Sequence, residues 1–182
     1  DVPMVYTHLQ PRPVTGFAKS ETWDNPVMAM LFDLWGAIPL QRGEADVDAM
    51  KRGLDALANG KIVVIAPEGT RSWDGKLRQA YAGVVFMALR SGAPLIPVAY
   101  YGGEQLKENL RKWRRTDFYI SVGRPFRLEP GSVRVDHRVR QQMLGEVMYQ
   151  LAELMPEQYR GVYSVPPATP YTFLRFCDAA KA

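Results

Sequence analysis

Apolar residues recur along the chain in two rhythms, one helical and one strand-like, and their alternation predicts an α/β fold. The first apolar stretch reads as the end of a helix that runs to about Leu9 and stops before Pro11 and Pro13. Residues 14–18 read as a short strand. Asn25-Pro26 then opens a helix carrying Val27, Met28, Met30, Leu31, Leu34 and Trp35, and Gly36 ends it. Residues 37–41 predict a second strand. Over 46–58, Val47, Met50, Leu54 and Leu57 fall at helical spacing on one face, closed by Asn59-Gly60. Residues 61–66 are apolar after Lys61, which predicts a strand at the centre of a sheet covered on both faces. A helix over about 79–91, a buried strand over 94–100 and a strand over 118–122 follow. A long helix over 135–155 ends at Pro156. The Pro-rich residues 165–170 lead to a last apolar segment, 171–177, and the pattern leaves open whether it docks on the domain or on a membrane. The expectation is one α/β domain over 1–163, with a mixed, mostly parallel sheet flanked by helices, then a Pro-rich linker and tail over 164–182.

Composition narrows the class. The chain has 182 residues, 47% of them hydrophobic, and no low-complexity tract, so it can bury a core. One cysteine, Cys177, excludes an internal disulfide and a cysteine-rich zinc site and suits a reducing compartment. The net charge of +4 favours anionic partners: phosphate head groups, a nucleotide cofactor, an acidic carrier or nucleic acid. No apolar run reaches a membrane span, the best candidates being broken by Asp33 and Arg90. The chain opens on Asp1 and runs directly into Val2, Met4, Val5 and Tyr6, which read as the middle of a helix, so upstream sequence is expected to be missing.

Parallel strands joined by helices place ligands at their carboxyl ends. The most informative stretch stands there, Pro67-Glu68-Gly69-Thr70-Arg71-Ser72 after the strand 61–66. Gly69 permits a tight turn and a close approach to a ligand. Thr70 and Ser72 offer hydroxyls, and Arg71 a planar fork suited to phosphate. Glu68 has two readings: holding Arg71, or accepting from a substrate hydroxyl. The same residues equally describe a polar surface loop with an Arg–Glu pair. Arg42, closing the segment 36–42, either points to the same end of the sheet, where two guanidinium groups would grip one phosphate, or is a solvated arginine ending its strand. Lys19, after the strand 14–18, is a third cation at that rim or a surface lysine.

Together these segments resemble the lysophosphatidate (1-acylglycerol-3-phosphate) acyltransferase family. Gly16-Phe17-Ala18-Lys19-Ser20-Glu21 looks like the family's segment ending in a lysine. Gly36 to Arg42 resembles its Gly-and-Arg block, and Pro67-Glu68-Gly69-Thr70-Arg71-Ser72 its most specific block. Ala93-Pro94-Leu95-Ile96-Pro97-Val98 resembles its last, in which Pro97 shapes a strand end. The likeness spans about 1–127. The stretch 154–163 also looks like a tail seen in some bacterial members. The family's first block is a His, four residues and an Asp; Asp1 falls where that Asp stands, and the His would lie five positions earlier. His8 does not replace it, because Pro13 occupies the Asp position, and His137 lies far from the blocks.

The resemblance implies a glycerolipid acyltransferase-like fold and acyl transfer from a thioester to the free hydroxyl of 1-acyl-glycerol-3-phosphate, giving phosphatidic acid. A neutral His would take the hydroxyl proton with Asp1 orienting it. Arg42 and Arg71 would hold the acceptor phosphate in a pocket shaped by Glu68, Gly69 and Thr70, with Lys19 at its rim. A backbone N–H near Pro97 or Gly69 would stabilise the oxyanion. The resemblance implies no metal and no cofactor, only acyl-CoA or an acyl carrier protein thioester as co-substrate. A chain beginning at Asp1 is expected to be inactive for want of the His. The basic run Lys107, Arg111, Lys112, Trp113, Arg114, Arg115 suits an anionic membrane surface, the donor's phosphates, an acidic carrier, or simply a solvated helix face. Trp23, Trp35 and Trp73 are candidates for an acyl tunnel, with core packing favoured for Trp35. The expected place is the cytoplasmic face of the membrane, peripherally bound. The alternatives are an acyltransferase for another lysophospholipid and a non-catalytic lipid-binding homologue. Acidic helices and the lack of a recognition motif argue against nucleic acid.

Overall fold

The strand Val14–Lys19 (β1) organises the amino-terminal part of the chain. The computed structural model describes residues 9, 11–41, 46–70, 72, 74–104, 106–165 and 171–177. These fall into two compact units, Asp1–Ala66 and Pro67–Ala182.

In the first unit β1 has a parallel partner on each side, in the order β2-β1-β3. Its later half pairs with Ile38–Leu40 (β2), Lys19 opposite Leu40, and its earlier half with Ile62–Val64 (β3), Gly16 opposite Val64. The central strand is therefore β1, which corrects the expectation for residues 61–66. The apolar run of β3 reflects burial by a partner strand and a covering helix, not a central place, and its residues are only half-buried. Between β1 and β2 lie a short 3-10 helix, Ser20–Asp24, and the helix Pro26–Leu34 (α1). Asn25 caps α1, its Oδ1 accepting from the amides of Val27 and Met28 at 3.0 and 3.2 Å, and Pro26 sits where no N–H is needed. The helix ends at Gly36, whose carbonyl accepts from the buried Thr15 hydroxyl at 2.6 Å. The helix Val47–Ala58 (α2) lies across all three strands, burying Ala49 and Gly53.

In the second unit the helix Gly83–Ser91 (α3) packs on the long helix His137–Glu153 (α5), enclosing Met87, Val85, Met143 and Met148. The helix expected from 79 begins only at Gly83. Residues before it spend their amides on distant carbonyls instead: Leu77 N–H donates to Tyr159 O and Tyr81 N–H to Pro67 O, both at 2.9 Å. Val98–Tyr101 (β4) and Tyr119–Val122 (β5) form an antiparallel pair, and the short helix Leu106–Arg111 (α4) lies in the arm between them. The buried strand expected over 94–100 is reduced, since Pro97 interrupts it; Leu95 bridges to Phe126, and Val98 and Tyr100 are exposed. Phe126–Leu128 (β6) pairs antiparallel with Leu174–Phe176 (β7), so the last apolar segment docks on this unit. Glu146 of α5 fixes it. Only 6% exposed, its carboxylate accepts from the amides of Thr172, Phe173 and Leu174 at 2.9–3.0 Å. The Tyr171 phenol, pushed up to about 12 by burial and by its hydrogen bond to Glu153, closes the same junction.

Candidate active site

In the first unit the three parallel strands end at one edge. There Lys19 is exposed beside Leu40, at the point where β2 hands over to residue 42. Asp46 holds this handover: its carboxylate caps α2 through the Ala49 amide and also accepts from the Gln41 amide, both at 2.9 Å. These two backbone donors keep the Asp46 carboxyl below the usual carboxylate range. The phosphate-binding candidate Arg42 and the acid candidate Asp1 lie outside the described residues, as does Arg71. Trp23 and Trp35 flank Phe32, with ring centroids 5.6 and 5.4 Å away, and the Trp23 indole donates to Asp33 at 2.8 Å. Both are thus tied to α1; Trp73 lies outside the described residues.

In the second unit residues 67–70 make a turn with Gly69 at φ +63°, where an added Cβ would meet the Tyr81 ring at 3.3 Å. Only glycine takes that backbone without strain. Thr70 is exposed. Ser72 donates to Asp74 at 2.7 Å, and Arg78 lies 3.9 Å from the same carboxylate. Glu68 is half-buried, and its Oε2 accepts from the Arg78 amide at 2.8 Å. Burial pushes its carboxyl up, against the lowering pull of that amide and of the Arg78 charge. Tyr163 stands beside it. Burial raises this phenol, the Ala80 backbone pulls it partly back, and the charge of Glu68 adds to the rise.

The stretch 154–163 holds the segment 75–77 that follows this loop. Leu77 donates to Tyr159 O at 2.9 Å and accepts from the Val162 amide at 3.3 Å. Gly161 has φ +51°, and a Cβ there would lie 2.0 Å from Leu77 O. Gly75 meets Tyr159 from the other side, and the Tyr149 and Tyr163 rings meet edge to face at 5.6 Å. In sequence this tail shows only a likeness to some bacterial members of the family. Its Tyr, Gly and Tyr at 159, 161 and 163 were the signal for a structural partner of the loop. Pro97 is buried, its carbonyl taken by the Gly123 amide at 2.9 Å. Of the basic run, Trp113, Arg114, Arg115 and Arg111 are exposed and Lys112 pairs with Glu108; the Lys107 side chain lies outside the described residues. His137 is exposed at the start of α5.

A family model described as Acyltransferase matches residues 1–101, more than half of the chain. The chain belongs to the acyltransferase family. Relatives within it include the 1-acyl-sn-glycerol-3-phosphate acyltransferase BAT2, chloroplastic, of Brassica napus, 34% identical over 79 residues, which are 42% of this chain and 23% of that one. The 1-acyl-sn-glycerol-3-phosphate acyltransferase of Bacillus subtilis (strain 168) is 32% identical over 126 residues, 69% of this chain and 60% of that one. The chain thus spans less than two thirds of either relative. The crystal structure of the 1-acyl-sn-glycerophosphate (LPA) acyltransferase PlsC from Thermotoga maritima aligns with a TM-score of 0.57 at 24% identity, covering 85% of this chain and 61% of that one. The fold of this acyltransferase-family chain is therefore the α/β fold of that structure.

Proposed function

We propose that the protein transfers a fatty acyl group from a thioester donor to the free hydroxyl of 1-acyl-glycerol-3-phosphate, giving phosphatidic acid. The observation that carries this reading is the sequence 67–72, whose turn has Gly69 at φ +63° and which is followed by a segment, 75–77, braced by the tail 159–163. Family membership and the printed activity of the plant and Bacillus relatives support it. Arg42 and Arg71 hold the acceptor phosphate, with Glu68, Gly69 and Thr70 shaping the pocket and Lys19 adding charge at its rim. An imidazole base takes the proton of the acceptor hydroxyl, and the Asp1 carboxylate orients that base. The hydroxyl oxygen adds to the thioester carbonyl, and as the resulting oxyanion collapses the C–S bond breaks and the thiolate leaves with the proton returned by the imidazole. Main-chain amides near Gly69 or Pro97 steady the oxyanion. The donor is acyl-CoA or acyl carrier protein. The protein works peripherally at the cytoplasmic face of the membrane, where its lipid acceptor resides. No described helix is long and apolar enough to cross a bilayer.

The test is mass spectrometry of products from the protein expressed from its whole reading frame, given mixed lysolipids and both donor types. Phosphatidic acid is expected as the main product. Acylation of another lysophospholipid instead would move the acceptor assignment, and no acylation at all would leave the lipid-binding alternative. Arg71→Ala and Arg42→Ala are each expected to raise the acceptor KM more than about tenfold, the loss of one charge-assisted phosphate contact. An unchanged KM in both sinks the phosphate role.

A further inference from the structure

The arm between β4 and β5 carries an exposed apolar stripe beside exposed cations. Leu106, Leu110 and Trp113 follow one another at i, i+4 and i+7, and are 58%, 72% and 97% exposed. Arg111, Arg114 and Arg115 are exposed alongside, and no ion pair is found for them among the described residues. Glu108, the acid within residues 106–115, is exposed and taken by Lys112. The arm is closed on itself, since Asn109 Nδ2 donates to the Thr116 hydroxyl at 3.0 Å. At its base Tyr101 stacks on Tyr119 at 5.2 Å, and Tyr100 on Phe118 at 5.7 Å.

Trp113 adds a second, independent observation. It is the one non-glycine residue found at positive φ among the described residues, at +53°. Arg114 N–H donates to Asn109 O at 2.8 Å and Trp113 N–H to Leu110 O at 3.3 Å, the pair of bonds that closes a helix on a left-handed residue. Glycine is the usual occupant there, and a bulky side chain in that backbone is an outlier. The chain therefore holds the most exposed indole among the described residues in a backbone that costs it energy, and the folded protein gains no burial in return.

We infer that residues 106–115 are a membrane-docking arm, in which Leu106, Leu110 and Trp113 enter the interface of an anionic bilayer and Arg111, Arg114 and Arg115 engage its lipid phosphates. The inference rests on the lipid-acceptor reading above and names the surface that meets the bilayer. An acidic carrier protein would satisfy the arginines, but it leaves the apolar stripe and the strained Trp113 unexplained. A bilayer takes both, because indole and guanidinium groups partition together at the head-group level.

The test uses the whole gene product and vesicles of phosphatidylcholine with or without phosphatidylglycerol, some bearing bromine on the acyl chains. Bromine is expected to quench part of the protein fluorescence on anionic vesicles, and W113G to lose that part. W113G should also weaken partition about tenfold, from lost apolar burial, while its Tm stays level or rises as the backbone strain is relieved. Each Arg→Gln change at 111, 114 or 115 should weaken partition about fivefold on anionic vesicles and little on neutral ones. Equal quenching of wild type and W113G, or a lower Tm for W113G, overturns the inference. So does loss of acyl carrier protein binding in the Arg→Gln variants with vesicle partition intact. Turnover of lysophosphatidate in detergent micelles, without a bilayer, is measured in parallel. Its absence sinks the proposed reaction and not the arm, whereas normal turnover with no contact at Trp113 sinks the arm alone.

Discussion

Glu68 sits half out of water, with its Oε2 receiving the Arg78 amide at 2.8 Å and the Tyr163 phenol nearby. Its burial raises the carboxyl above its ordinary value of 4.5, so the folded state binds this proton more tightly than the unfolded chain does. Ionising Glu68 therefore opposes folding. Its favourable contribution is present below 4.5 and is lost as pH rises through the folded-state value. Glu68→Gln keeps an acceptor for the Arg78 amide and cannot ionise. The variant is expected to gain stability over the wild type as pH rises through the folded-state value of Glu68, and to hold a constant margin once that carboxyl is fully ionised. Urea unfolding of both proteins across this range checks the sign. Parallel curves, or a wild type that gains on the variant with rising pH, would refute the account.

At the scale of elements, the two short 3-10 helices Glu157–Tyr159 and Gly161–Tyr163 act as a back-plate for Leu77, just past the motif loop. Gly161→Ala would place a methyl group 2.0 Å from Leu77 O in a backbone already at φ +51°. The loss should be at least about 2 kcal/mol, combining left-handed strain with the clash. Acceptor KM should rise along with it, because the loop is displaced. Calorimetry and kinetics on the same preparation check both, and an unperturbed KM would show that the back-plate does not set the loop. The elements differ in how far the sequence announced them. The starts of α1, α2 and α5 were readable, because Asn25, Asp46 and Asp136 cap them and apolar spacing follows. Apolarity alone could not order the sheet, since it reports burial and not which strand lies between two others. The late start of α3 was hidden as well, because the amides of Leu77 and Tyr81 are claimed by partners far along the chain. Three-residue strands such as β6 are too short to carry a periodic signal. The motif loop itself was readable as chemistry, whereas Arg78 and Tyr163 around Glu68 come from outside the motif.

For the molecule as a whole, the carboxyl-terminal segment completes the second unit. Phe173 and Leu174 are buried, β7 covers the Phe126 strand, and Glu146 has its carboxylate filled by three main-chain amides. A carboxylate in mid-helix reads in sequence as a solvent-facing residue, so this anchor was not foreseeable from residues 135–155. Ending the chain before Tyr171 removes two buried side chains and strands Glu146 without its donors. The cost should reach about 4 kcal/mol or more. A fall in the urea midpoint with faster amide exchange in Phe126–Leu128 is the expected outcome; an unchanged midpoint would mean that the segment decorates the unit without supporting it. The grip of Tyr159 and Val162 on Leu77 also bears on how the protein is made. On the ribosome, residues 67–72 emerge long before the partners that steady their flank have been synthesised. A nascent or prematurely ended chain leaves Leu77 without these partners until residues 159–163 have been made.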